Sequence, residues 1–327
     1  MSSGCSRSPA PPPATWRAGS SSSSPPRVLA IVGPTAAGKS ALAMRLAPEI
    51  GAEIVSVDSA AIYRGMDIGT DKPSAEDRAR VPHHLLDIAD PDETPTVAQF
   101  QERGRACVDE ILNRGRVPLL VGGSGLYFRA IVDPLEFPPT DPEVRGRLEA
   151  EAYELGGYGL FERLEAADPE AASRMHPANV RRTIRALEVI EVTGRPFSSY
   201  RVAWDDHQAV YDLRAAGLDL PFEQMAERID ARVDALMARG WVAEVAALRE
   251  AGVRFSATSL QALGYAQILD HLDGRLPLDQ AIEETKRRTR KFARRQLRWF
   301  RADPRIRWFP DPAAAAEYLT EPNWEEK

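Results

Sequence analysis

The segment Gly33-Pro34-Thr35-Ala36-Ala37-Gly38-Lys39-Ser40 matches G-x-x-x-x-G-K-[ST] at every fixed position. It follows the apolar run VLAIV at 28–32, which reads as a buried strand, and it opens a helix over 40–46. Glycines there let the backbone wrap around an anion with its N–H groups inward, and the helix N-terminus favours negative charge. A chance match in a chain of this length is about a one-in-a-hundred event at ordinary residue frequencies. The flanking strand and helix reduce that chance further. Lys39 adds a positive charge, and Ser40 is placed to ligate Mg²⁺. All eight residues are therefore candidates for binding a diphosphate or nucleotide. The bland alternative is a glycine-rich turn without a ligand. The motif alone fits kinases, hydrolysing NTPases and enzymes that expel pyrophosphate alike.

The rest of the chain fits the same architecture. Apolar runs at 54–57 and 117–121 alternate with helical patterns such as 100–112, which predicts a parallel sheet with helices on both faces. Residues 210–218 are expected to return as a further strand. Between about 140 and 203 such runs are missing, and Val180, Ile184, Leu187 and Ile190 recur at helical spacing before Gly194. The expectation is an α/β fold of the P-loop NTPase type, in which 27–139 and 204–327 form the core and 140–203 a helical insertion domain. From 222 onward the pattern is helical to near Phe300. Residues 1–26 are rich in Pro, Ser and Ala without periodicity, and are expected to be a disordered extension. They contain arginine and no acid, as transit peptides do, so targeting is the minor alternative.

Composition narrows the class. With 43% apolar and 28% charged residues the chain can bury a full core, and a net charge of −6 argues against a wholly basic nucleic-acid binder. Two cysteines, Cys5 and Cys107, give no disulfide framework or metal site. No apolar stretch reaches the ~18 residues needed to span a bilayer. A cytoplasmic monomer is expected, with no membrane partner. The five histidines have no ligand spacing beyond the pair His83-His84, whose side chains point apart on a strand or a loop.

Two further segments belong at the carboxyl edge of the sheet, where open α/β folds bind ligands. Asp58 directly follows the run IVSV, as a Mg²⁺ ligand, a general base, or simply the cap of the next helix. Gly122-Gly123-Ser124-Gly125 follows the third run, either close to a ligand or as a plain strand-to-helix turn. No acid ends that run, which counts against a hydrolysing motor.

A strongly basic stretch, KRRTRKFARRQLRWFR, occupies 286–301 with no acid among its residues. Its arginines suit phosphate backbones, the alternative being a solvated face. Phe292, Leu297, Trp299 and Phe300 are expected to pack in the core rather than to stack on bases. A second basic cluster, Arg181-Arg182-Thr183-Ile184-Arg185, lies in the insertion, and the two together suggest one basic groove.

Taken jointly, these segments resemble the tRNA dimethylallyltransferase (tRNA isopentenyltransferase) family from about Val28 to Phe309. The matching stretches are GPTAAGKS, DSAAIYRGMDIGTDKPS from Asp58, VPHHLLDIADP from Val81 and GGSGLYFRAI from Gly122. RALEVIEVTGRP from Arg185, LGYAQIL from Leu263 and TRKFARRQLRWF from Thr289 follow in order. The resemblance implies transfer of a dimethylallyl group from dimethylallyl diphosphate to N6 of an adenosine beside a tRNA anticodon, with release of diphosphate. It implies that Asp58 is the general base and that Ser124, standing where the family has threonine, keeps the hydroxyl role. It places Asp58, Ser59, Ala60, Ala61, Ser124, Arg145 and Arg181–Arg185 against tRNA, and the basic helix adds Arg294 and Arg295 by its charge. It implies Mg²⁺ at Ser40 and a diphosphate-binding arginine at Arg228 or Arg232. Where some members carry arginines around the LGY segment, Gln261 and Ala266 stand here.

Three rivals remain at this point: a small-molecule kinase using the same loop, an adenylate isopentenyltransferase acting on free nucleotides, and a non-catalytic RNA-binding protein. The basic helix counts against the first, and the long insertion with it against the second. The third predicts tRNA binding that neither diphosphate nor Mg²⁺ affects.

Overall fold

The computed structural model describes residues 27–321. The proposed N-terminal extension, 1–26, lies outside them. Six parallel strands form one sheet: β1 Arg27–Val32, β2 Ala52–Ser56, β3 His83–His84, β4 Val117–Gly122, β5 Asp212–Leu218 and β6 Ile306–Phe309. Their order is β3-β2-β4-β1-β5-β6.

The period-two geometry of β1 builds the two sides of the core. Val28, Ala30 and Val32 face one layer with Phe100, Val108 and Phe128. Leu29 and Ile31 face the other, with Leu42 and Leu46 of the helix Lys39–Ile50 and Leu319 of the helix Pro312–Thr320. Strands buried on both faces read as the continuous apolar runs seen in the sequence.

Both edge strands were invisible to hydrophobic patterning. β3 consists of two half-buried histidines. Its His84 Nε2 contacts Glu53 Oε2 at 2.7 Å, and its His83 Nδ1 contacts the Val81 carbonyl at 2.7 Å. β6 buries Ile306 and Phe309 on opposite faces of the sheet and leaves Arg307 exposed. The region after 222 is helical to Arg301, as expected. It divides into helices Phe222–Ala238, Trp241–Glu250, Tyr265–Leu272 and Leu278–Arg301.

Residues 140–200 form a helical layer with a core of its own, built from Leu148, Leu160, Phe161, Leu164, Ile184 and Leu187. Its long helix, Pro142–Ala167, breaks at Gly156 (φ 73°). Glu188 ties the layer to the irregular segment leading into it, through the Asp141 amide. It accepts from Arg145 Nη2 at 2.7 Å and Arg185 Nη1 at 2.8 Å, while Arg185 Nη2 donates to the Pro138 carbonyl at 2.7 Å. Burial alone would raise the Glu188 carboxyl, but these hydrogen bonds and the Asp141 amide hold it below the usual range.

Candidate active site

The loop after β1 wraps with three residues at positive φ: Gly33 at 131°, Ala36 at 63° and Gly38 at 96°. Gly38 caps the helix Lys39–Ile50, so the free N–H groups of that helix open onto the loop. Lys39 is buried, and its Nζ donates to the Pro34 carbonyl at 2.6 Å. Burial, and then the positive charge of Arg232, lower its pKa to about 7, against a partial opposing pull from Asp58. Ser40 is exposed at the head of the helix.

Of the two candidate arginines, Arg232 is the one that reaches the loop. Its Nη1 donates to Thr35 Oγ1 at 2.5 Å, and its Nε lies 3.2 Å from Asp71 Oδ2. Arg228, one turn earlier, is exposed. The loop also rests on apolar support, because Ala36 packs with Phe222, Met225, Ile229 and Ala293.

Asp58 stands just past β2. Its Oδ1 accepts from the Ala60 amide at 2.8 Å and more weakly from the Ala61 amide at 3.4 Å. No helix starts there, so Asp58 is not a helix cap; the two amides are turn contacts that occupy one carboxylate oxygen. Ser124 is brought alongside because its amide donates to the Val57 carbonyl at 3.1 Å. Ser124 begins the helix Gly125–Val132 without using its hydroxyl as a cap. Tyr127 is buried nearby, stacked on Phe100 at 3.9 Å between centroids. Burial first, then the charges of Tyr63 and Asp58, push its phenol well up.

The glycines around Ser124 have specific neighbours. A Cβ on Gly122 would lie 2.4 Å from the Val57 carbonyl oxygen, on Gly123 2.2 Å from Gln296 Nε2, and on Gly125 1.9 Å from the Trp299 indole. The plain-turn reading is therefore insufficient: these positions are small because two site loops and a helix converge on them. Trp299 is 43% exposed, which corrects its expected core role; Phe300 is the buried aromatic of that turn.

Gln296 and Glu244 were not singled out by sequence reasoning. Gln296 accepts from the Thr35 amide at 2.9 Å and donates to the Gly123 carbonyl at 2.8 Å. The Glu244 carboxylate receives the Asp67 amide at 2.9 Å, the Ile68 amide at 2.6 Å and the Tyr265 hydroxyl at 2.7 Å. It thereby pins the segment that follows Asp58. The Trp241 ring occupies the space where a Cβ on Gly69 or Gly264 would sit, at 2.1 and 2.0 Å. Through this packing DIGT and LGY form two sides of one interface. Lys72 braces the same segment, donating to the Tyr63 carbonyl at 2.6 Å and to Asp67 and Asp87 at 2.7 and 2.5 Å.

The residues expected against tRNA divide by placement. Ser59 is exposed beside Asp58, whereas Ala61 is buried. Arg181 and Arg182 are exposed on the first turn of the helix Val180–Thr193. Thr183 and Ile184 turn into the helical core, which corrects their expected role against tRNA. Arg145 and Arg185 are engaged by Glu188, though Arg145 keeps an exposed flank. Arg294 and Arg295 are exposed, and the Arg294 guanidinium stacks 3.9 Å from the Phe222 ring centroid. The stretch 286–301 lacks acids of its own, but the fold supplies them. Lys286 pairs with Asp234, Arg287 and Arg288 with Glu284, Arg290 with Asp230 and Arg301 with Asp219. The free positive face is therefore narrower than the sequence implied.

A phosphate loop, an acid and a hydroxyl at the carboxyl edge of one parallel sheet define an α/β phosphate-loop enzyme. Residues 61–303 match the family described as IPP transferase, and residues 26–87 match isopentenyl transferase. The chain is 52% identical over 283 residues to the tRNA dimethylallyltransferase of Streptomyces coelicolor, covering 86% of this chain and 90% of that protein. It is also 52% identical over 288 residues to the enzyme of that description from Thermobifida fusca, covering 86% and 89%. Among solved structures it is similar to the tRNA isopentenylpyrophosphate transferase of Bacillus halodurans, with a TM-score of 0.62 and 42% identity over 86% of this chain and 89% of that one. It is similar as well to a eukaryotic dimethylallyltransferase acting on tRNA, with a TM-score of 0.75 and 25% identity over 90% and 76%. The chain belongs to the IPP transferase family and is a transferase.

Proposed function

We propose that the chain transfers a dimethylallyl group from dimethylallyl diphosphate to N6 of adenosine 37, next to the anticodon of tRNA, releasing diphosphate. The observation that carries this reading is the pairing of Asp58 with Ser124 beside a phosphate loop, through the Ser124 amide and the Val57 carbonyl. The relatives' descriptions supply the acceptor, since each names tRNA.

The diphosphate sits in the loop Gly33–Ser40, with Lys39 and Arg232 matching its charge. The available donors are oxygens, the exposed Ser40 hydroxyl and the diphosphate itself, which suit Mg²⁺; when bound, that ion supplies further charge neutralisation for the leaving group. Diphosphate departs with the electron pair of the allylic carbon–oxygen bond, and the adenine nitrogen forms the new bond to carbon. Asp58 takes the amine proton on its uncommitted oxygen while Ala60 keeps the other in place. Ser124 orients the amine from the neighbouring loop. The base must leave its stack to reach this position.

The core, 27–139 and 204–327, carries the chemistry in this reading, and the insertion, 140–203, grips the RNA. Arg181 and Arg182 there, with Arg294 and Arg295 on the core helix, bind phosphates. The protein acts as a cytoplasmic monomer. No helix among the described residues is long and apolar enough to cross a membrane.

Mass spectrometry of tRNA from a strain lacking the gene tests the reading. Isopentenyl-adenosine should disappear and return on complementation; its persistence without the gene contradicts the assignment.

A further inference from the structure

Gln296 sits where two halves of the site meet. Its side chain is buried, with the residue only 7% exposed, and both ends of its amide are used. The oxygen accepts from Thr35 in the phosphate loop at 2.9 Å; the nitrogen donates to Gly123, next to Ser124, at 2.8 Å. Only a residue with a donor and an acceptor on one short fork can make this bridge. Gly123 has no room for a Cβ because the Gln296 nitrogen lies 2.2 Å from where it would be. Thr35 is also gripped through its hydroxyl by Arg232, so the loop is held from two helices. Ser124 is in turn fixed beside Asp58 through Val57. The two loops leave adjacent parallel strands, β1 and β4, with Val32 opposite Gly122, and Gln296 ties them together beyond the end of that ladder.

We propose that Gln296 is a positioning residue that sets the gap between the phosphate loop and the Ser124–Asp58 pair, and so directs the allylic carbon to the acceptor nitrogen rather than to water. The inference rests on the prenyl-transfer reading above. In productive turnover the carbon–oxygen bond to diphosphate breaks, the carbon–nitrogen bond forms, and the amine proton goes to Asp58. If the gap widens, a water oxygen forms the bond instead. The products are then dimethylallyl alcohol and diphosphate, with the water proton released to solvent. Small misplacements are enough, because alignment supplies much of the rate in such a transfer.

The test uses the full-length protein with dimethylallyl diphosphate, Mg²⁺ and tRNA, counting prenylated tRNA and dimethylallyl alcohol in the same reaction. Gln296→Leu removes both hydrogen bonds. Gln296→Glu keeps an acceptor for Thr35 and loses the donor to Gly123, and it retains the side chain's shape should the leucine variant fold poorly. Gly123→Ala disturbs the same bridge from the other side. All three should lower kcat about tenfold or more, raise the alcohol-to-transfer ratio, and leave the KM for tRNA within about twofold. A wild-type ratio in a folded Gln296→Glu or Gly123→Ala protein overturns the inference, even if melting temperature falls. Absence of any transfer by the wild-type protein would sink the functional reading and the inference with it. Normal wild-type transfer with unshifted variants sinks the inference alone.

Discussion

Arg232 and Thr35 join the C-terminal half of the chain to the phosphate loop, through a hydrogen bond of 2.5 Å from guanidinium to hydroxyl. The same guanidinium lies against Asp71, in the segment downstream of Asp58. One side chain thus touches both the phosphate loop and the segment downstream of Asp58. Arg232→Ala should raise the KM for dimethylallyl diphosphate about tenfold or more, the scale of a missing charge-assisted hydrogen bond. Arg228→Ala, one turn away and exposed, should leave it unchanged. Steady-state kinetics with both variants checks the assignment.

Lys39 gives a pH signature. Its pKa of about 7 lies below the 10.5 of a free lysine, first because the amine is buried. Diphosphate favours the charged form, so binding above pH 7 takes up a proton, and affinity should fall as pH rises through that value. Calorimetry in buffers of different ionisation enthalpy should detect the uptake, and Lys39→Met should abolish it. The stability effect has the opposite direction. Between about 7 and 10.5 the unfolded chain holds more protons than the folded one at this site, so this group's contribution to stability improves with rising pH.

Asp58→Asn should keep the loop in place, because the amide oxygen still accepts from Ala60. It removes the proton acceptor. Turnover should fall about 10²- to 10⁴-fold, the usual worth of a positioned base, with tRNA affinity nearly unchanged. Rapid-quench kinetics together with a binding isotherm separates the two quantities; near-normal turnover would remove Asp58 from the catalytic step.

Residues contiguous in sequence were legible, and residues joined only by the fold were not. The phosphate loop and Asp58 could be read because spacing along one strand and turn sets their chemistry. Gln296 looked like one polar position in an arginine-rich helix, since its partners Thr35 and Gly123 lie 261 and 173 residues away. Glu244 reads as an ordinary helix-surface acid until the Asp67 and Ile68 amides are found on it. Burial by distant elements misled the reading of Thr183 and Trp299, the one turned inward and the other left open. The short edge strands β3 and β6 carried too little apolar pattern to stand out.

The packing of Trp241 makes a stability prediction. Gly69→Ala or Gly264→Ala would drive a methyl to within 2.1 or 2.0 Å of the indole, so the ring or the backbone must move. Each should cost about 1–3 kcal/mol, the range for an overpacked core. Glu244→Ala, which strands three amides and a tyrosine hydroxyl, should cost a similar amount or more. Denaturant titration measures both, and losses within about 0.5 kcal/mol would place the motif glycines outside this explanation.

On the basic helix, Arg294 and Arg295 should matter more for tRNA than Arg287 and Arg288, which Glu284 already holds. Replacing Arg294 and Arg295 together by alanine should weaken binding and reduce the slope of log K against log salt by about one unit for each phosphate no longer neutralised. An unchanged slope would return the helix to a purely structural role.

In the proposed reaction carbon moves to RNA while the loop at Gly33–Ser40 retains the diphosphate. Purified protein incubated with dimethylallyl diphosphate, Mg²⁺ and an anticodon stem-loop, followed by mass spectrometry of the digested RNA, tests it directly. The adenosine beside the anticodon should gain about 68 Da, the added prenyl group, and Asp58→Asn should give no gain. No gain on the RNA, or a phosphorylated product when ATP replaces the prenyl donor, would contradict it.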